Sequence, residues 1–197
     1  MPENMSYSIA VDKKKSQVFF GTAKGIYEYD YDTGKARRYS EENLKLNMIF
    51  IDNDGNKYVT ESNNGVEELY LLDCYKKIRY ESMEALDELG IAENNDFYFI
   101  RGEKLFVLRT NSSKAVEIFD VAYSSSGQIA FYDSMVFVAR RNLIYAHMDR
   151  ITDKKTVCNL PEATAIAFDD NGNFVVGTQD SLLIYEKNNC YFRLKEN

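Results

Sequence analysis

The hydrophobic pattern of the chain is a series of short apolar runs separated by turn residues. Ser8–Asp30 (SIAVDKKKSQVFFGTAKGIYEYD) has three such runs with turns between them, and Ala165–Glu186 (AIAFDDNGNFVVGTQDSLLIYE) repeats the order. The segment VFFGT, at Val18–Thr22, has counterparts that end at residues 61, 101, 140 and 178. The pattern therefore recurs every 38 to 40 residues, and five copies fill almost the whole chain.

Each repeat contains four short runs of strand-forming residues, which in the first copy are Ile9–Asp12, Val18–Thr22, Ile26–Tyr31 and Ala36–Ser40. Turns rich in Gly, Asn and Asp separate them. Four strands in about forty residues, repeated without helices, are typical of a β-propeller blade. We therefore predict an all-β fold, one propeller domain of five four-stranded blades, with blades at about 6–40, 46–80, 89–119, 127–159 and 163–195. A fragment of a six-bladed propeller is the alternative.

Two connecting segments interrupt the strand pattern. They are Ser40–Asn47 (SEENLKLN) and Glu81–Gly90 (ESMEALDELG). In the second, Met83, Leu86 and Leu89 stand at helical spacing, and Gly90 would end a helix. The spacing predicts a short helix or helical turn between the second and third blades.

Charge and hydropathy narrow the function classes. The net charge of −7 gives the molecule a field that repels nucleic acid and anionic membranes. The lysine runs Lys13–Lys15 and Lys154–Lys155 are short and lie in predicted turns, as solvated hairpin tips do. No apolar run approaches the roughly 18 residues that cross a bilayer. We expect a monomer that binds neither nucleic acid nor a membrane.

Arginines mark one candidate site. Arg101 and Arg140 occupy the repeat position that Thr22 and Thr178 hold in other copies, in the loops between second and third strands. Arg binds planar anionic groups and stacks on aromatic rings. We predict that these loops, with the loops that join blades, bind a small aromatic or anionic ligand at the mouth of a central channel. The predicted ligand-binding residues are Arg101, Arg140, Arg141, Glu61, Lys24, Tyr7, Tyr80 and Tyr123. Alternatively, the arginines pair with Glu61 and Asp180 in a network of rim charges.

Signs of catalysis are few. The single histidine, His147, falls in the predicted third strand of the fourth blade and has no second histidine or cysteine cluster for a metal site. Nucleophile-elbow and phosphate-loop motifs do not occur. Asp12, Asp52 and Asp169 recur at one turn of the repeat, which indicates hairpin residues. We expect a non-enzymatic protein with no catalytic residues, metal or cofactor; a metal-dependent hydrolase or lactonase-type propeller that uses channel carboxylates is the alternative.

Two phrases of the chain resemble known families. Gly25–Lys35 (GIYEYDYDTGK) and Ala165–Glu186 resemble the propeller repeat of regulator sensor domains, through the order D-x-x-G-N, G-T and G-[IL]-x-x-[YF]. The same Tyr-rich phrases resemble the insect ommochrome-binding and venom-R-like proteins across most of the chain. The second resemblance implies a secreted, non-enzymatic propeller that binds a small aromatic pigment or a partner protein. A secreted effector that acts by protein–protein interaction alone is a further alternative.

The evidence on compartment is divided. The resemblance and the glycosylation sequon Asn111–Ser113 favour secretion. The odd number of cysteines, Cys74, Cys158 and Cys190, weakens a disulfide framework, and the N-terminus lacks the basic-then-apolar order of a secretory signal. We expect a secreted protein, with a cytoplasmic one as the alternative.

Overall fold

The computed structural model describes residues 6–22, 24–40, 46–73, 76–124, 127–148, 150–169, 171–187 and 192–194. Within these ranges the chain forms 19 β-strands and no helix, and the strands make five antiparallel sheets. The fold is a five-bladed β-propeller, which confirms the predicted fold class. The five sheets are called blades 1 to 5 in chain order. The chain divides into two compact units, which are described in turn.

The first unit comprises Met1–Leu86 with the turn segments Ile91–Asp96 and Arg109–Lys114. It contains blades 1 and 2, whose strands pair in chain order. Blade 1 consists of β1 (Ser6–Asp12), β2 (Gln17–Thr22), β3 (Gly25–Asp30) and β4 (Lys35–Arg38), and blade 2 of β5 (Leu46–Ile51), β6 (Lys57–Asn63), β7 (Val66–Asp73) and β8 (Lys76–Glu84).

The second unit comprises Asp87–Gly90, Phe97–Leu108 and Ala115–Asn197. Blade 3 consists of β9 (Glu88–Ile91), β10 (Phe97–Arg101), β11 (Lys104–Leu108) and β12 (Val116–Asp120). Blade 4 consists of β13 (Gln128–Tyr132), β14 (Met135–His147) and β15 (Arg150–Ala163), and blade 5 of β16 (Ala165–Phe168), β17 (Phe174–Gly177), β18 (Leu182–Lys187) and β19 (Phe192–Leu194).

Blade 4 differs from the others because its sheet has three strands, two of them long. The predicted second and third strands of this blade are one continuous element, β14. The strand is irregular at the predicted boundary, since Arg141 has a φ of 59° and the β14–β15 register shifts between Arg141 and Leu143. His147 is the last residue of β14.

Tight hairpins form where the sequence supplies residues that tolerate a positive φ. Asn64 and Gly65, with φ of 52° and 81°, join β6 to β7 in a two-residue turn. Positive φ at both central residues suits the right-handed twist of the flanking strands, and Asn-Gly tolerates it best. The sequence therefore fixes the register of β6 against β7.

The recurring aspartate shapes the turn between the first two strands of a blade. The Oδ1 atom of Asp52 accepts hydrogen bonds from the backbone N–H of Asp54 and Asn56, both at 2.9 Å. Asp169 accepts from Asn171 at 3.0 Å and Asn173 at 2.8 Å in the same pattern. This is the hairpin role predicted for these residues.

Each unit has its own apolar core between neighbouring blades. In the first, the core consists of Phe19, Ile26, Leu46, Ile49 and Val59. In the second, strands of blades 4 and 5 enclose Phe137, Ala139, Leu143, Ala163, Ile166, Phe174, Val176 and Tyr185. Because a four-stranded sheet is apolar on both faces, each blade needs a neighbour to bury it.

The helix predicted in Glu81–Gly90 is wrong. The segment is the end of β8, a bend, and the start of β9. Met83, Leu86 and Leu89 are buried, but they lie on β8, in the bend and on β9, and not along one helix face. The turn is made instead at Ala85, which has a φ of 55°. Of Ser40–Asn47, residues 41–45 lie outside the described ranges, and β5 begins at Leu46.

Candidate functional site

Arg140 is a buried cation at the centre of a polar cluster in the second unit. Only 2% of its surface is exposed. Its guanidinium donates from Nη1 to the carbonyl of Gly102 and from Nη2 to the carbonyl of Ser124, both at 2.6 Å. Nη2 also lies 3.3 Å from Oδ2 of Asp87, and Nε lies 3.6 Å from Oε1 of Glu88. The side chain thus ties together three separate chain segments.

The acids of this cluster come from the segment just before β9 and from its first residue. Asp87 also accepts the backbone N–H of Gly102 at 2.9 Å, so it fixes the β10–β11 turn directly. Glu88 is buried, and desolvation raises its pKa to about 7, against the opposing effect of Arg140 and with a further increase from Asp87. Its carboxylate lies against Gly127, where an added Cβ would be 2.4 Å from Oε1. The same Cβ would be 2.8 Å from the backbone oxygen of Ala139, so this position requires glycine.

Arg101 lies at the end of β10, next to the turn that Arg140 and Asp87 hold. Its guanidinium carbon is 5.6 Å from the ring centres of both Phe99 and Phe106. These two rings are stacked, with centroids 5.4 Å apart and an interplanar angle of 14°. Arg101 is half-buried, and the two aromatic rings hold the orientation of its guanidinium.

Tyr123 and Arg141 are the exposed members of the site within this unit. Tyr123 is 63% exposed and precedes Ser124, whose carbonyl Arg140 binds. Arg141 follows Arg140 and is exposed. Arg140 thus connects the turn that follows Arg101 to the segment that contains Tyr123. Arg141 and Tyr123 are the exposed side chains next to Arg140 and Ser124 in sequence.

The other predicted site residues belong to the first unit. Glu61 pairs with Lys77 at 2.7 Å, and the Tyr80 ring packs edge-to-face on Tyr58 with centroids 5.9 Å apart. Lys24 is exposed, and its carbonyl accepts from Arg38 at 3.3 Å. Tyr7 lies in β1, and its side chain is outside the described part of the structure. Glu61, Tyr80 and Lys24 therefore have partners within the first unit.

The ion pairs in the structure differ from those of the predicted rim network. Arg140 pairs with Asp87 and Glu88, and Glu61 pairs with Lys77. The pairing of the arginines with Glu61 and Asp180 is therefore wrong for Arg140. Arginines on blade 4 and acids at the start of blade 3 meet because adjacent blades stack, a contact more than fifty residues apart in sequence.

Sequence reasoning missed Glu88, although the repeat held a signal for it. In the first unit the hydroxyl of Ser8 accepts the N–H of Ile49 at 3.1 Å, across blades 1 and 2. In the second unit Oε1 of Gln128 accepts the N–H of Ile166 at 2.9 Å, across blades 4 and 5. Ser8, Glu88 and Gln128 stand at one position of the repeat. A polar residue there indicates a side chain directed to the next blade.

Two features are absent from the described ranges. They contain no group of three or more His, Cys, Asp or Glu side chains arranged to hold a metal ion. They also contain no helix that is long and apolar enough to cross a membrane. Cys74 and Cys190 lie outside the described residues, so the disulfide state stays a prediction.

The chain is similar in sequence to an insect binding protein. It is 23% identical over 189 residues to the ommochrome-binding protein of Manduca sexta, which covers 92% of this chain and 66% of the relative. This match confirms the resemblance inferred from Gly25–Lys35 and Ala165–Glu186. The chain spans just under two thirds of the relative's length. No protein-family model matches the sequence.

Solved structures share the fold at low sequence identity. A chain in the crystal structure of a nidogen/laminin complex superposes with a TM-score of 0.73 and 11% identity, over 93% of this chain and 76% of that one. An auxiliary nutrient-binding protein from Bacteroides thetaiotaomicron gives a TM-score of 0.70 and 12% identity, over 92% and 55%. At such identities the likeness shows the fold alone.

Proposed function

We propose that this chain is a secreted, non-enzymatic propeller that binds a small, flat, anionic aromatic molecule. The similarity to the ommochrome-binding protein supports a binding role for the fold. The ligand chemistry is inferred from the residues of the second unit.

The observation that supports this proposal most strongly is the hydrogen bonding of Arg140. Its two 2.6 Å hydrogen bonds join the turn that follows Arg101 to the segment that carries Tyr123. A buried cation that already donates hydrogen bonds to three protein groups is a positioning residue and not a ligand contact. The contact residues are then Arg101, Arg141 and Tyr123.

The chemistry of these contact residues selects the ligand class. Arg101 and Arg141 can donate paired hydrogen bonds to a carboxylate. The exposed ring of Tyr123 can cover an aromatic system, with its hydroxyl left in water. Because the net charge of −7 repels anions at long range, affinity must come from contacts made at the site.

A titration with matched probes tests the proposal. Naphthalene-2-carboxylate supplies both the flat ring and the charge, its amide supplies the ring without the charge, and cyclohexanecarboxylate supplies the charge without the ring. We expect calorimetry to show binding of the naphthoate about tenfold or more tighter than either analogue, because each loses one class of contact. Equal affinity for the naphthoate and its amide would contradict a role for the arginines.

Secretion rests on the resemblance and on the sequon. Asn111 lies in an exposed turn between β11 and β12. Expression through the secretory pathway of insect cells should yield a glycosylated chain, and Asn111→Gln should remove the added mass. Mass spectrometry of secreted wild-type protein without glycan would remove this support.

A further inference from the structure

Two buried polar groups of the Arg140 cluster lie side by side without a hydrogen bond between them. Among the described residues, the Nε atom of Arg140 and the Oε2 atom of Glu88 are buried and have no hydrogen-bond partner. Nε lies 3.6 Å from Oε1 of Glu88, which is longer than a charge-assisted hydrogen bond. Arg140 therefore keeps a buried donor in reserve, and Glu88 is the acid beside it.

The charge of Glu88 decides whether this arrangement is stable. A neutral carboxyl group tolerates the interior at this distance, whereas a buried carboxylate needs hydrogen-bond donors. Burial raises the pKa of Glu88 to about 7, with an opposing decrease from Arg140 on β14 and a further increase from Asp87 just before β9. Gly127, which packs against the carboxyl group from the start of blade 4, carries no charge. Glu88 therefore changes its charge near neutral pH.

Ionised Glu88 should pull the guanidinium of Arg140 away from its backbone partners. The carboxylate attracts the reserve Nε–H, and closing the gap from 3.6 Å to about 2.8 Å shifts the whole rigid guanidinium plane. The Nη1 and Nη2 atoms belong to the same plane and donate to the carbonyls of Gly102 and Ser124. These two bonds then lengthen. Because the two carbonyls directly follow candidate contact residues in sequence, those residues lose their fixed positions.

We propose that Glu88 is a positioning residue that makes ligand binding depend on pH. With its proton, Glu88 leaves Arg140 on the two carbonyls and the contact residues in place. Without its proton, Glu88 draws Arg140 away and adds a negative charge to a site for an anion. Both effects weaken binding, so affinity falls as the pH rises. By linkage, a bound anion makes Glu88 hold its proton more firmly.

This inference rests on the proposed anionic aromatic ligand, so naphthalene-2-carboxylate is the probe. Its carboxylate is ionised both at about pH 5.5 and at about pH 8.5. We expect calorimetry to show that the wild-type protein binds it about tenfold more weakly at the higher pH. Glu88→Gln, which keeps the shape of the neutral side chain and cannot ionise, should bind the probe equally at both values. His147→Gln is the control, because it removes the only histidine, and it should keep the wild-type pH dependence.

A second measurement uses the protein without ligand. In nuclear magnetic resonance spectra of the free wild-type protein, the carbonyl carbon signals of Gly102 and Ser124 should move as the pH rises, because their hydrogen bonds from Arg140 lengthen. The same signals should stay in place in Glu88→Gln and should move in His147→Gln. Naphthoate that binds at no pH would contradict the proposed function, and the carbonyl signals would then decide by themselves whether Glu88 controls the two segments.

The inference has clear contrary results. Wild-type affinity that is constant or rises with pH would overturn it. A parallel pH dependence in the wild type and in Glu88→Gln would place the titrating group elsewhere. Carbonyl signals of Gly102 and Ser124 that stay fixed in the wild type would show that Arg140 does not respond to Glu88. Should Glu88→Gln fail to fold, the wild-type carbonyl signals and their comparison with His147→Gln remain decisive.

Discussion

The Nε atom of Arg140 lies 3.6 Å from Oε1 of Glu88, and both side chains are buried. The two residues belong to consecutive blades, so their pairing fixes blade 4 against the start of blade 3. Separating buried charges from water is costly unless each finds a partner. Arg140 also binds the carbonyls of Gly102 and Ser124, which directly follow the candidate binding residues Arg101 and Tyr123 in sequence.

Removing the Arg140 side chain should destabilise the protein. Arg140→Ala leaves two carbonyl groups and the carboxylate of Asp87 without their donor and Glu88 without its neighbouring cation, and we expect a loss of about 3–5 kcal/mol in the free energy of unfolding. Arg141→Ala, at the adjacent exposed position, is the control and should change stability by less than about 0.5 kcal/mol. Urea unfolding measures both, and equal losses would contradict the buried role of Arg140.

Stability should fall as the pH rises from about 4.5 to about 7. The pKa of Glu88 is raised to about 7 in the folded protein from an ordinary value of 4.5, so between these values the folded state holds a proton that the unfolded state has lost. The group therefore stabilises the folded protein at low pH by up to about 3 kcal/mol, and this contribution is gone above pH 7.

Glu88→Gln isolates this effect from the other titrating groups. The difference in unfolding free energy between wild type and Glu88→Gln should change across pH 4.5 to 7 and become constant above it. A difference that does not vary with pH would show that Glu88 titrates normally and that its carboxylate is solvated.

The recurring turn aspartates should differ in their contribution to stability. Asp52 is buried and accepts the hydroxyl of Tyr58 at 2.9 Å in addition to its backbone bonds. The equivalent Asp169 is exposed. Asp52→Ala should cost about 2–3 kcal/mol because it removes a buried hydrogen bond to the Tyr58 hydroxyl in addition to the bonds to the backbone. Asp169→Ala should cost less. Thermal unfolding of both variants compares them, and an equal loss would contradict this account.

The repeat made the fold predictable from the sequence. The contacts between blades could not be predicted from it. Gly21-Thr22 and Gly177-Thr178 mark the same hairpin, and local turn chemistry sufficed to place it. The partners of Arg140 lie in the segment around Asp87 and Glu88, which was predicted as a helix from the spacing of Met83, Leu86 and Leu89. An apolar triplet of this spacing suits either a helix face or alternating strands around a bend, and only neighbouring blades decide between them.

In the proposed function, Arg101 and Arg141 contact the ligand, whereas Arg140 holds the segments on which the contact residues lie. The most direct test is the affinity of the Arg101→Ala/Arg141→Ala variant for naphthalene-2-carboxylate, measured by calorimetry together with its melting temperature. Lys114→Ala, in an exposed turn, is the control for loss of surface charge. We predict affinity about tenfold to a hundredfold weaker than wild type, with a melting temperature close to that of the control. Unchanged affinity in the double variant would contradict the proposed function.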